Sequence, residues 1–366
     1  MVYRLIIFIF LFPCLGWGNS FPTSKIQPST LQCFHNSLNT LHPDIQVIKA
    51  DPLNGESVDL VFHVYLSNGS DYFIRFFQRK GNQLNRLKIK VTQDMSKIWQ
   101  GPQFITSAKD GKSFVTEFID GKHLGLEDFK KNPRILMEFV DKMRQSHEYL
   151  KESVAIENVP NYSMSKRSER RLDEIKDLDI TLPHIEKVKK ILQYVEMHTA
   201  QEYKQPVHND VRPENIILDA FGNTYLIDWA EVTQGNVYDD LGAFAEFFRL
   251  NIFLEKKVLK RYFNKTPSSD SLALLETHRW VNGLHRAAFK FRKNLNSMKK
   301  TAPKTWGHVL NTDNKDLKKS ALDLKKYLDY VDDIKFRSAL EKIGFKTNIS
   351  IIERGVLWLK MLVKDA

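Results

Sequence analysis

Eight consecutive residues hold most of the chemistry legible in this chain: His208-Asn209-Asp210-Val211-Arg212-Pro213-Glu214-Asn215. A second carboxylate, Asp228, follows in Tyr225-Leu226-Ile227-Asp228-Trp229. A carboxylate, an amide five residues on, and another carboxylate behind an apolar segment are the parts needed to move a phosphoryl group from a magnesium nucleotide. Such a site does little covalent work and much positioning. One carboxylate must stand where the attacking hydroxyl loses its proton, which nominates Asp210 as the base. Mg²⁺ is a hard cation that takes few protein oxygens and leaves its other positions to water and phosphates. That nominates Asn215 and Asp228 as its ligands. An isolated aspartate would ordinarily be read as a surface residue. Here His, Asp and Asn are set in one octet, with a further Asp at the right remove.

The flanking residues supply elements to carry these groups. Val207 and the run Ile216-Ile217-Leu218 are β-prone, Asp219 to Asn223 carries turn residues, and Thr224-Tyr225-Leu226-Ile227 reads as a returning strand. A hairpin of this kind is expected to bring Asp228 back beside Asn215, so that both reach one ion.

The octet and the Ile-Asp-Trp that follows resemble the catalytic and metal-binding loops of the protein-kinase-like superfamily. The likeness is to its small-molecule branch: aminoglycoside phosphotransferases, choline and ethanolamine kinases, and thiamine kinases. His208-Asn209-Asp210 is more similar to the choline-kinase type than to the His-Gly-Asp of antibiotic kinases. The resemblance implies that Asp210 is the catalytic base, that Asn215 and Asp228 bind magnesium, and that His208 is a structural brace. It also implies that Arg212 neutralises charge on the transferring phosphate; the plain alternative is a solvated surface arginine. Protein kinases share much of the octet, but they place Gly after Asp-Phe and run a long segment to Ala-Pro-Glu. This chain has Trp229-Ala230-Glu231, and only 12 positions separate Asp228 from Asp240 in Tyr238-Asp239-Asp240-Leu241-Gly242. That short gap is similar to the small-molecule kinases.

The fold implied is α+β: a bilobal protein-kinase-like fold with a small β-rich N-lobe over residues 40–118 and a larger, mainly helical C-lobe over 119–366. With 366 residues the chain is long enough for two cores. The reaction implied is transfer of the γ-phosphate of ATP, with Mg²⁺, to a hydroxyl of a small molecule.

Residues 46–78 read as a β-meander of three strands, closed by a turn through Asn68-Gly69-Ser70-Asp71. The third, Tyr72-Phe73-Ile74-Arg75-Phe76-Phe77, matches the family strand whose basic residue grips nucleotide phosphates. Arg75 occupies that place; an outward-facing arginine on an alternating strand is the alternative. No Gly-x-Gly-x-x-Gly is present, so Gly55 and Ser57 in the turn before the second strand are the candidates to cover the nucleotide. The family's acidic partner for the strand's basic residue is missing from 80–93, where no acidic side chain occurs; Gln83, Gln93 and Asp94 are the substitutes available. Gly111-Lys112-Ser113 is not a phosphate loop, because Thr106 stands where its first glycine would be. It precedes a strand ending in Glu117-Phe118-Ile119, where the resemblance places backbone contacts to adenine.

In the remainder, Ile135, Leu136, Phe139, Val140 and Met143 recur at helical spacing, with His147 close behind as a packing residue. Lys166 to Arg171 is a charge run expected on a solvated helix or loop. A further amphipathic helix runs from Pro183, and everything beyond Asp240 reads as helical. Trp229, Glu231, Tyr238, Asp239, Trp280 and Trp306 are candidate walls for a small cationic acceptor of choline, ethanolamine, thiamine or aminoglycoside type, held over aromatic faces. Ala230 stands where many choline-type members carry Glu, which argues against choline itself. The rival of a different class is a catalytically weak kinase-like binding module.

The chain carries 55 Lys and Arg against 44 Asp and Glu, a net +11. Residues 286–319 hold ten basic and two acidic side chains. Without a nucleic-acid motif this patch reads as a solvated face, and no nucleic-acid partner is expected. Residues 1–18, with an apolar run from Leu5 to Leu15 and Gly16-Trp17-Gly18 behind it, resemble a secretory signal cleaved after Gly18, followed by a leader over 19–39. Cleavage would remove Cys14 and leave Cys33, too few for an internal disulfide. Export to the periplasm or medium is the expectation if the signal is cleaved, with an amino-terminal membrane anchor or a cytoplasmic protein as alternatives. No other segment reads as transmembrane.

Overall fold

The computed structural model describes residues 47–345 apart from 54–58, 79–81, 155–158, 161–162, 177, 179, 200–203, 299–302 and 304. Gly55 and Ser57, the amino-terminal apolar run with both cysteines, the leader and the apolar stretch 351–363 lie outside the described residues. The chain divides into two compact units. One comprises residues up to Lys122 with Ile217–Trp229; the other comprises His123–Ile216 with the chain from Ala230 onward.

The first unit is built on β1 (Val47–Pro52), β2 (Leu60–Leu66), β3 (Asp71–Phe76), β4 (Phe104–Ser107) and β5 (Ser113–Glu117). They form one sheet in the order β1-β2-β3-β5-β4, and each neighbouring pair is antiparallel. The period-two alternation of a strand sorts its side chains by face. Phe62, Val64 and Leu66 of β2 join Ile74 and Phe76 of β3 and Val115 of β5 in one buried cluster. The opposite face of β3 carries Phe73 and Arg75. There Phe77 and Phe114 pack with Ile89 of α1 (Asn82–Lys97). The strands β6 (Gly121–His123), β8 (Ile216–Asp219) and β9 (Thr224–Leu226) make a second small sheet. The β8–β9 turn is held by Asp219, whose Oδ1 accepts from the amides of Phe221 (2.9 Å) and Asn223 (2.7 Å). The Leu226 amide donates to the Gln100 carbonyl at 3.1 Å, which ties the hairpin to the loop behind α1.

The second unit is mainly helical: α2 (Leu126–Lys131), α3 (Pro133–Ser153), α4 (Met164–Lys176), α5 (Ile185–Thr199), α6 (Val237–Phe247), α7 (Ile252–Phe263), α8 (Ser269–Ser297), α9 (Trp306–Leu310), α10 (Lys315–Asp329) and α11 (Ile334–Lys342). The long α8 is its spine. Trp280, Leu284, Ala288 and Phe291 from it share one core with residues of α4, α5, α10 and α11. A two-stranded antiparallel ladder, β7 (Lys204–Val207) with β10 (Thr233–Asn236), brings the octet's start beside the entry to α6. That entry is a capping box: the Asn236 side chain accepts the Tyr238 amide while Asp239 accepts the Asn236 amide. Nearly all of α6 is buried. Gly242 lets it lie against α8 so closely that a Cβ there would sit 2.6 Å from the His278 carbonyl carbon.

Two expectations are sharpened. The run from Lys166 to Arg171 is helical, in α4, yet it is not a fully solvated face: the side chains of Arg167 and Arg171 are only 11% and 19% exposed. Among the described residues, no helix is long and apolar enough to cross a membrane.

Candidate active site

The octet leaves β7 and passes into a short 3-10 turn at Pro213–Asn215. His208 is fully buried, and its Nδ1 accepts the backbone amide of Asp210 at 3.1 Å. A nitrogen so occupied shapes the loop. Asn209 sits at φ +63°, a left-handed conformation that Asn tolerates better than most residues. Its Nδ2 donates to the Thr233 hydroxyl at 2.6 Å and more distantly to the Glu231 carbonyl at 3.4 Å.

The loop is fixed from below by Asp240, on the first turn of α6. Its Oδ1 accepts the Asn209 amide at 2.6 Å, and its Oδ2 accepts the His208 amide at 2.7 Å and Nε2 of His147 at 2.8 Å. His147 in turn has its Nδ1 2.6 Å from the Tyr262 hydroxyl. Burial pushes the Asp240 carboxyl upward, but the hydrogen bond and charge of His147, followed by His208, outweigh it and hold the group below its ordinary value. His147 is thus more than a packing residue: it and Asp240 form a buried polar post under the octet. Sequence reasoning singled out Asp240 only for its spacing, since a contact 32 positions away leaves no local pattern.

Asp210 is partly exposed. Its Oδ2 accepts Nε of Arg212 at 3.0 Å and Nδ2 of Asn215 at 2.8 Å, and Asn215 also donates to the Asp210 carbonyl at 2.9 Å. These two side-chain donors share one oxygen, which steers the rotation of the carboxylate. Arg212 is 15% exposed at its side chain and ion-paired, so it is not the solvated surface residue of the plain alternative. The Asn215 amide nitrogen is thus committed to Asp210.

In the other unit, Arg75 is 5% exposed and grips Asp228 with two parallel hydrogen bonds, Nη1 to Oδ1 at 2.5 Å and Nη2 to Oδ2 at 2.8 Å. This is the bidentate geometry that a guanidinium forms and an ammonium cannot. Asp59 lies 3.9 Å from Nε on the other side. The acidic partner sought on the helix after β3 is therefore supplied from 153 positions away. Asp94 is buried but engaged with Lys90 and Lys97 of its own helix. Asp228 itself sits at φ +64°, outside regular strand geometry, where β9 has ended.

Of the candidate adenine-contacting residues, Glu117 already donates its amide to the Gln103 carbonyl at 2.9 Å. Phe118 stacks face to face on His63, centroids 3.4 Å apart, and His63 bonds Asp71 at 2.6 Å. Ile119 follows, half-buried. Most of the candidate acceptor walls are spent on packing. Trp280 is buried against Phe336 and donates to the Tyr327 carbonyl, Trp306 packs on Phe291, and Trp229 donates to the Leu226 carbonyl. Tyr238 is buried, and buried Asp239 bonds His278 at 2.8 Å. Glu231 alone of the six is largely exposed, and it pairs with Arg167.

The architecture is that of kinases acting on small molecules. A sequence model of the choline/ethanolamine kinases matches residues 51–252, and the chain belongs to that family, whose members are phosphotransferases with an alcohol acceptor. No curated protein sequence matches it. A choline/ethanolamine kinase family protein from Mesorhizobium loti is 16% identical with a TM-score of 0.60, over 81% of this chain and 92% of that one. The choline kinase LicA of Streptococcus pneumoniae is 15% identical with a TM-score of 0.57, over 81% and 98%. An aminoglycoside 2'-phosphotransferase-IIIa in complex with GDP is 14% identical with a TM-score of 0.54, over 81% and 97%. At these identities the likeness is one of fold.

Proposed function

We propose that this protein transfers the γ-phosphate of ATP to a hydroxyl of a small molecule, with Asp210 as base and with Asn215 and Asp228 holding Mg²⁺. The observation that carries the reading is the Asp210 carboxylate: steered on one oxygen by Arg212 and Asn215, half-open to solvent, and standing on a loop whose backbone Asp240 holds. The acceptor oxygen forms its bond to the γ-phosphorus as the bond to the β–γ bridging oxygen breaks. ADP leaves with that electron pair, and the proton passes to Asp210. Arg75 and Arg212 are the cations for phosphate charge, while His208 supports the loop.

The donor set suits the metal. An amide oxygen and a carboxylate are the hard, sparse ligands Mg²⁺ takes. When bound, the ion would supply charge neutralisation on the phosphates.

The test is a thermal-shift titration with Mg-ATP, followed by a phosphate-transfer screen over small alcohols, choline, ethanolamine, thiamine and aminoglycosides included. Saturable nucleotide binding and turnover that Asp210→Ala abolishes are expected. Failure to bind millimolar Mg-ATP would support the binding-module alternative instead.

A further inference from the structure

The helix α7 commits one face to the core and turns the other to solvent. Val258, Leu259 and Tyr262 are buried, and buried Glu255 pairs with Arg279 at 2.6 Å. Tyr262 bonds His147, and Arg261 at the edge of the face pairs with Asp141 of α3. The outward residues are Ile252, Phe253, Lys256, Lys257 and Lys260, all of them exposed. At 3.6 residues per turn these five positions fall within an arc of about 140°. The two apolar members lead the stripe on the first turn, with 44% of Ile252 and 61% of Phe253 exposed.

That arc carries no acid. From Arg249 to Ser268 the chain holds six cations and one acid, Glu255, which lies on the buried side. Among the described residues, none of Lys256, Lys257 and Lys260 is in an ion pair. Nζ of Lys257 stands 4.3 Å from the centroid of the Phe253 ring, and Nζ of Lys265 stands 5.9 Å from that of Phe263. The cations thus cover aromatic carbon and are not neutralised by carboxylates. A single exposed Phe is ordinary. Adjacent apolar side chains at the head of a stripe of unneutralised lysines form the pattern of a helix that lies in a membrane interface. Lysine has an apolar stem and a charged tip, so its head can reach lipid phosphates while Phe253 enters the acyl boundary. Two observations favour a bilayer over an acidic protein. Lysine offers a mobile point charge and no fork, which suits the diffuse charge of anionic lipid. The apolar run Leu5–Leu15, expected as a signal or an amino-terminal anchor, is a separate membrane-directed segment of the same chain.

We propose that the outward face of α7 docks this protein on the surface of an anionic lipid bilayer. Ile252 and Phe253 enter the boundary between headgroups and acyl chains, and Lys256, Lys257 and Lys260 lie against lipid phosphates. The contact is reversible, needs no spanning helix, and is independent of the phosphotransferase reading.

The experiment is flotation of full-length protein with vesicles of phosphatidylcholine alone and of phosphatidylcholine with phosphatidylglycerol in equal parts. The protein should float with the anionic vesicles, and the binding should weaken as added salt shortens the range of its charges. Lys256→Gln, Lys257→Gln and Lys260→Gln combined should weaken it about a hundredfold. Phe253→Ser should weaken it about tenfold. All four side chains are exposed, so Tm should stay close to that of the wild type in both variants. Lys256→Arg, Lys257→Arg and Lys260→Arg combined keep the charge and should keep the binding. Equal flotation with both kinds of vesicle, unchanged in every variant, would assign attachment to Leu5–Leu15 and overturn the proposal. Absence of flotation with anionic vesicles at low salt would overturn it as well, leaving this face to an acidic protein or to solvent. So would anionic-vesicle binding that survives both the glutamine and the serine variants.

Discussion

Replacing Asp240 by Asn should unmake the octet without touching it. The carboxylate accepts three hydrogen bonds in a fully buried place: two from the consecutive amides of His208 and Asn209, and one from His147. Asparagine has the same shape but only one acceptor oxygen. Whichever way its amide turns, an NH₂ faces a buried N–H that has lost its acceptor, and the negative charge that matched these donors is gone. Hydrogen bonds to a charged group contribute about 1.5–3 kcal/mol each, although such terms do not simply add. Breaking a buried polar pair from one side costs about 3–5 kcal/mol, and that is the loss expected here, or roughly 6–20 °C in Tm. The left-handed Asn209, which costs about 1–3 kcal/mol to hold, would then be free to relax and carry Asp210 with it. Denaturant titration of both proteins across pH measures this. Because the folded Asp240 carboxyl is held below its ordinary 3.8, its contribution is fully present above that value and is lost as pH falls through the lower, folded one. The stability gap between wild type and Asp240→Asn should therefore be widest near neutrality and narrow below about pH 4. A gap under about 1 kcal/mol at pH 7, or one independent of pH, would refute the assignment of Asp240 as the loop's anchor.

Other outcomes follow from single contacts. Arg75→Met removes two charged donors from half-exposed Asp228 and should cost about 1–3 kcal/mol, read as a lower denaturation midpoint; Arg75→Lys should recover only part of it, and full recovery would mean the two-point grip is unimportant. Asp210→Ala should lower turnover by about 10²-fold or more while the thermal shift with Mg-ATP persists, and a variant that still turns over at the parent rate excludes Asp210 as base. Gly242→Ala would put a methyl 2.6 Å from the His278 carbonyl carbon and 2.7 Å from the Arg279 amide nitrogen. Backbone cannot yield as a side chain does, so α6 and α8 should part at a cost of about 1–3 kcal/mol, measured by calorimetry; a neutral result would show that the crossing is looser than its geometry.

What could be read from the sequence was whatever rests on local periodicity or on a compact motif. The alternation of Phe62, Val64 and Leu66 marks β2, the helical spacing from Ile135 to Met143 marks α3, and the octet marks the loop that carries Asp210. Arg75 was legible as a residue but not as a contact, because its partner was sought one element away and lies across 153 positions. The same holds for Asp240: nothing near it in the chain announces that two amides of another loop end on its oxygens. The charge run at 166–171 misled for a related reason. Arginine has an apolar stem and a charged tip, so composition alone does not tell a solvated face from a buried seam. Tyr238, Trp280 and Asp239 looked like pocket walls because aromatic and acidic residues serve either use, and only their packing decides.

The dependence of the octet on Asp240 also has a consequence in time. The ribosome makes His208 and Asn209 some thirty residues before the carboxylate that holds them, an interval of roughly two to six seconds at ordinary synthesis rates. Through that interval the nascent chain carries the reactive sequence without the reactive shape. A fragment ending before α6 would carry it permanently: the octet would be present without the carboxylate that holds the backbone on either side of Asn209.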